Sequence, residues 1–293
     1  MNAPTGLPQA TVEILTSLTQ HRALTTAQVH AIHLPDRSSR RASQILESLR
    51  DAGLVSSVRS PGSLPRALWF TTEQGTIIAM EAGDLDHAPK PLRPEQAIGQ
   101  LHLHTMAVND TAISFLDAAR RRGDEFGPLS WRHEVAHPLN RGRGRRSRFL
   151  RADAVFTYLR LDDGEVVVEQ RFVELDRATL SVDRLATELA AYATLCRASD
   201  EHGEPLWRER YPAFPPVICV LTGALRENLE RRRNATIALL RSDPEFARTP
   251  EVTIHICLGQ DLADEGPFGS IFRDPRLPDP RLNWIGEPAG EAA

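Results

Sequence analysis

The sequence predicts a mixed α+β protein in two parts: a small unit of helices and a β-hairpin, then a larger α/β unit with the order α-β-β-β-α-β. Three observations predict it. Helix-period apolar stripes with capping residues fill residues 11–53, and two short strand patterns around a Pro/Gly turn follow them. A polar, Pro-rich stretch without period, GDLDHAPKPLRPEQAIGQ at 83–100, interrupts the chain as a linker would. From residue 101 helical and strand patterns alternate, and no Gly-rich phosphate loop follows a strand, which excludes a doubly wound nucleotide fold. The expected boundaries are 1–84 for the first domain, 85–100 for the linker, 101–262 for the second domain and 263–293 for a Pro/Gly-rich tail.

In the first unit, Val12, Ile14, Leu15 and Leu18 form one helical stripe. Thr25 or Thr26 caps a second helix carrying Val29 and Ile32, which stops near Pro35. Ser38 or Ser39 caps a third helix, with Ala42, Ile45, Leu46 and Leu49 inward and Gly53 ending it. VSSVRSPGSLPRALWFTT then reads as strand, turn, strand. In the second unit a helix is expected over 102–121, with Met106, Ile113 and Leu116 on one stripe and Asn109 among them. Strands follow near 129–136, from Asp153, and over 165–176 after a turn at Asp162–Gly164. A helix over 180–196, a strand over 216–221, a helix over 224–241 and a strand over 252–258 complete the pattern. The tail from 266 is expected to pack through Phe268, Ile271, Phe272 and Trp284.

Composition narrows the function. The 293 residues are 41% hydrophobic and 25% charged, enough for two cores. A net charge of −4 excludes a generic polyanion binder, so any nucleic-acid surface is local. Lys90 is the only lysine among 35 basic residues. Cys196, Cys219 and Cys257 have neither zinc nor disulfide spacing, which predicts a reducing, cytoplasmic setting. No apolar stretch approaches membrane-spanning length, so no membrane partner is expected.

The chemistry-bearing stretch is RFVELDR, 171–177. Glu174 and Asp176 are two apart on a strand and share a face, an unfavourable pair unless something positive lies between them. An antiparallel hairpin with its turn at Asp162–Gly164 would bring Asp153 beside both, with Glu134 as a fourth acid. Such oxygens suit Mg²⁺ or Mn²⁺, and a cation there would activate water against a phosphodiester. The bland alternative is an ion-pair network with Arg151 and Arg177. NRGRGRRSR places Arg141, Arg143, Arg145, Arg146 and Arg148 in one Gly-interleaved loop, which fits phosphate contacts. His102 and His104, with His133 beside Glu134, have no third metal ligand at a useful spacing. ERRRN at 230–234 reads as a solvated helix face.

These motifs carry resemblances. The first quarter of the chain, through LRDAGLV and ALWFTTEQG, resembles a winged helix-turn-helix. The resemblance implies that the third helix enters a DNA major groove with Arg40, Arg41, Ser43 and Gln44, and that the wing adds Arg59 and Arg66. The second unit resembles the PD-(D/E)XK nuclease superfamily: RADA supplies Asp153, with Ala152 where proline is usual, and VELD supplies Glu174. Asp176 stands where that superfamily has lysine, which puts the expected chemistry in question. HLHTMAVNDTAISFL, a strand ending W-x-x-E, RADAVF and FVELDRATLS occur in the order seen in the replication-relaxation family, over about residues 10–275. That resemblance implies a role in plasmid replication and plasmid DNA relaxation, with the E-x-D-R signature on Glu174, Asp176 and Arg177. Three readings stand at this point. One is a double-stranded DNA-binding protein that nicks DNA with a cation on Asp153, Glu174 and Asp176. Another is a non-enzymatic accessory whose second domain serves homodimerisation or partner binding. The third is a toxin- or defence-like nuclease.

Overall fold

The structure, a computed structural model, describes residues 6–59, 67–83, 85, 100–141, 147–278 and 281–288, with side chains of 100–102 excepted. Arg66, Lys90, Arg143, Arg145, Arg146 and the side chain of His102 therefore lie outside the described residues. The chain is mixed α+β with a three-stranded and a five-stranded sheet. It divides into two units, Met1–Leu116 with Gly127–Arg132, and Asp117–Phe126 with His133–Ala293.

In the first unit the elements are α1 (Gln9–Gln20), β1 (Leu24–Thr25), α2 (Thr26–His33), α3 (Ser39–Asp51), β2 (Val55–Arg59), β3 (Ala67–Thr71) and α4 (Glu73–Ala82). α5 (Gln100–Arg122) follows. Thr25 forms a capping box on α2: its hydroxyl accepts the Gln28 N–H, while the Gln28 side chain accepts the Thr25 N–H. Ser38 is the residue that caps α3, without a side-chain hydrogen bond. The hairpin is antiparallel, Val55 opposite Thr71 through Arg59 opposite Ala67. The two-residue β1 pairs with β3 as a third strand, an element that the sequence pattern did not signal because two residues carry no period.

The first unit is closed by residues from beyond the linker. Asn109 of α5, fully buried, donates to the Ala23 carbonyl at 3.2 Å and accepts the Trp131 indole N–H at 3.2 Å. His21 stacks on the Trp131 ring at 4.1 Å and meets the Pro128 carbonyl at 2.7 Å. Gln28 Nε2 donates to Asp110 Oδ1 at 2.7 Å and to the Met106 carbonyl at 3.0 Å. These bonds satisfy buried polar groups that would otherwise cost about 1–3 kcal/mol each. They explain how a polar Asn109 can lie on the apolar stripe of α5.

In the second unit the sheet order is β4-β5-β6-β7-β8, from β4 (Trp131–Pro138), β5 (Phe149–Asp162), β6 (Glu165–Asp176), β7 (Val217–Leu221) and β8 (Ile254–Leu258). β5 and β6 form the expected antiparallel hairpin around Asp163 and Gly164, both at positive φ. β6, β7 and β8 run parallel, which requires crossovers; α6 (Val182–Arg197) and α7 (Arg226–Ser242) supply them. One sheet face packs on these helices through Phe172, Val217, Cys219, Leu221, Ile254 and Ile256 against Leu185, Leu189, Tyr192, Leu229 and Leu240. α8 (Pro244–Ala247) and α9 (Gly259–Glu265) flank β8. The segment after α9 crosses β8, with isolated bridges Ile256–Arg273 and Phe272–Leu282, and it buries Phe272 and Trp284 completely.

Candidate functional site

The carboxylates gather where the β5–β6 ladder ends. The last registered pair of that ladder is Ala154 opposite Val173. Beyond it, the Leu175 N–H is met by the Asp153 side chain, Oδ2 accepting at 2.8 Å. The Asp153 carboxyl therefore lies beside that of Glu174, near enough for its charge to act on it. Tyr192 of α6 donates its hydroxyl to Glu174 Oε1 at 2.6 Å. Burial and then the Asp153 charge push the Glu174 carboxyl well above the usual carboxylate range. Burial and the Glu174 charge push the Tyr192 hydroxyl up as well, so it stays a proton donor to Glu174. Cys219, in register beside Glu174 on β7, has its thiol pushed up by burial and the Asp176 charge, which keeps it out of thiolate chemistry.

Asp176 shares the sheet face with Glu174 but not its partners. It is buried and held in a fork by Arg232 of α7: Arg232 Nη2 donates to Oδ1 at 3.0 Å and Nε donates to Oδ2. The positive charge beside Asp176 is therefore Arg232, a residue that the strand pattern did not point to. Arg151 is exposed and lies 4.0 Å from Glu134. Glu134 sits within β4 at φ 51°, a left-handed conformation that a non-glycine residue adopts at a cost of about 1 kcal/mol. So the four expected acids fall into three settings: Asp153 with Glu174, Asp176 with Arg232, and Glu134 near Arg151. Among the described residues no group of three or more His, Cys, Asp or Glu is arranged to hold a metal ion.

Two oxygen-rich carboxyl groups meet at one point, a protonated tyrosine fixes one of them, and the neighbouring thiol is neutral. Mg²⁺ is typically held by one or two carboxylates, with waters and substrate phosphates completing the shell. No lysine lies among the described residues, and a guanidinium is a donor without an acceptor site.

The sequence reading missed Arg232 because it took ERRRN for a solvated face. A signal was present. Leu229, Thr236 and Leu240 are the buried stripe of α7, and positions 232 and 233 follow Leu229 by three and four residues, on that same stripe.

The expected DNA-contact residues of the first unit lie as follows. Arg40, Arg41 and Gln44 are exposed on α3, Ser43 is half-buried and donates to the Ser39 carbonyl, and Arg59 is exposed at the end of β2. Exposed Arg37, just before α3, was not among the residues expected. In the arginine loop, Arg141 pairs with Glu209 and lies 3.8 Å from Asp200, while Arg148 is exposed.

Comparison with known proteins gives one match: the family model described as Replication-relaxation covers residues 15–204. No curated protein and no solved structure matches the chain. No helix among the described residues is long and apolar enough to cross a membrane.

Proposed function

The chain belongs to the replication-relaxation family, and we propose that it binds double-stranded DNA of a plasmid or mobile element and nicks it with Mg²⁺ or Mn²⁺. In this reading the first unit is a winged helix that anchors duplex DNA through Arg40, Arg41, Gln44 and Arg59. The second unit is a PD-(D/E)XK-like domain whose arginine loop, 141–148, contacts the backbone. One observation supports the enzymatic part: the Asp153 side chain accepts the Leu175 N–H at 2.8 Å at the ladder end, which brings two carboxyl groups, Asp153 and Glu174, together there. Those two residues would hold the ion; when bound, it supplies Lewis-acid polarisation of the phosphate and a more acidic attacking water. Tyr192 orients Glu174 through its hydroxyl. Arg232 neutralises Asp176, so the lysine position of the nuclease superfamily carries a closed ion pair in place of a proton-transfer group.

A second reading, a non-enzymatic replication or transcription accessory, draws on that same closed pair. Incubation of supercoiled plasmid with Mg²⁺ or Mn²⁺ separates the two. The first reading expects nicked circles from the wild type and none from Asp153→Ala or Glu174→Ala. Absence of nicking with either metal, alongside retained salt-dependent DNA binding, establishes the accessory reading instead.

A further inference from the structure

The three arginines of the ERRRN run leave α7 in three directions. Arg231 reaches Asn228 on its own helix, Arg232 holds Asp176, and Arg233 turns toward the segment that follows α9. There it lines a cleft of about 270 Å³ with Asn234, Ile237, Arg241, Arg273, Asp274 and Leu277. Three guanidiniums and one carboxylate therefore face one small space.

Two of the charged groups in this cleft are fixed in place, and one donor has no acceptor among the described residues. Arg241 is committed to structure: it donates to the Pro275 carbonyl at 2.7 Å and to the Leu277 carbonyl at 2.7 Å, fixing the wall opposite α7. Asp274 is likewise engaged, accepting the Arg276 N–H at 2.7 Å and lying 3.9 Å from His255. The Arg233 Nε–H is buried without a hydrogen-bond acceptor among the described residues. Burial and then the neighbouring Arg273 charge lower the Arg233 guanidinium; the carboxylates that act on it in the other sense, Glu230 and Asp261, both pair with Arg226. A buried donor without an acceptor, beside a like charge, is a costly arrangement that an anion would relieve.

We propose that this cleft binds a phosphate monoester, gripped by Arg233 and Arg273. The planar forks of arginine match phosphate oxygens, and a terminal phosphoryl group offers acceptors for the Arg233 donor and for its neighbour. The cleft admits a terminal phosphoryl group but not a duplex. The ligand is then a free nucleotide or the phosphorylated 5′ end of a DNA strand. This site is separate from the carboxylate pair and stands whether or not the chain nicks DNA.

The test titrates the full chain with inorganic phosphate, with ADP, and with a short single strand bearing or lacking a 5′ phosphate, following heat of binding and melting temperature. The wild type binds at least one phosphorylated probe and melts higher with it. Arg233→Gln and Arg273→Gln each weaken that binding by about tenfold or more, and Arg231→Ala, on the same helix but turned to Asn228, leaves it unchanged. Binding of ADP and free phosphate assigns a nucleotide; binding confined to the 5′-phosphorylated strand assigns a DNA end. The backbone bridge of Arg273 to Ile256 does not depend on its side chain, so Arg273→Gln keeps the test decisive should Arg233→Gln fail to fold. No binding of any probe, or binding that survives Arg273→Gln, overturns the proposal.

Discussion

At the residue scale, Asp176 and Arg232 form a buried ion pair within the second unit. Their side chains are 2% and 11% exposed, so neither charge has water to turn to when the other is removed. Arg232→Met should destabilise the protein by about 3 kcal/mol, and Asp176→Leu combined with it should restore most of the loss, because apolar replacement of both partners is tolerated where removal of one is not. Urea denaturation of the two single variants and the double variant measures this coupling. Asp124 is a different kind of buried acid. Burial pushes its carboxyl up, yet the Leu161 N–H, the Tyr158 hydroxyl and Arg122 together outweigh that and hold it below its ordinary value. A carboxyl lowered by folding stabilises the folded state above its unfolded pKa, and that stabilisation is lost as the pH falls through the folded value. Asp124→Asn should therefore lower stability at neutral pH and flatten its decline below about pH 4, as melting curves across acid pH would show. The sequence exposed the first of these acids but not its partner. E-x-D on a strand announces two carboxylates on one face, whereas the identity of the neutralising arginine depends on how α7 crosses β6, which no local pattern encodes.

At the element scale, the helices and strands that the chain announces most clearly are those with a full period or a cap. α1 to α3 follow their apolar stripes, and the hairpin of β5 and β6 follows its turn residues. What could not be read was set by distant partners. Trp131 opens a strand, but its indole is spent on Asn109, and no spacing in the sequence ties those two residues to His21. The passage from α3 through β2 and β3 to α4 is tight for a reason that is local. Gly75 lies in the first turn of α4, where Thr72 caps it, and a Cβ at that position would stand 1.9 Å from the Leu54 carbonyl oxygen. Gly75→Ala should cost at least about 2 kcal/mol, because the obstacle is backbone and cannot swing aside. Loss of the cooperative thermal transition of the first unit, or a marked drop in its midpoint, is the expected readout; an unchanged midpoint would mean that α4 can slide on β2.

At the scale of the whole molecule, if a chain of net charge −4 binds DNA as proposed, that affinity is concentrated in particular places. The salt dependence of binding counts the phosphates that those places neutralise. If α3 carries two of the contacts, Arg40→Ala with Arg41→Ala should reduce the slope of log affinity against log salt by about 2, and weaken binding to all duplex sequences alike unless the same residues also read bases. A filter-binding series at several salt concentrations decides it. The order of the elements also bears on how such a protein can be inherited. His21, Ala23 and Gln28 find their partners at Met106, Asn109, Asp110, Pro128 and Trp131. A recombination joint between residues 85 and 100 looks from the sequence like a clean seam, yet it would strip the first unit of every one of those partners. Recombination should therefore spare that seam and transmit the chain up to Arg132 as a single heritable block.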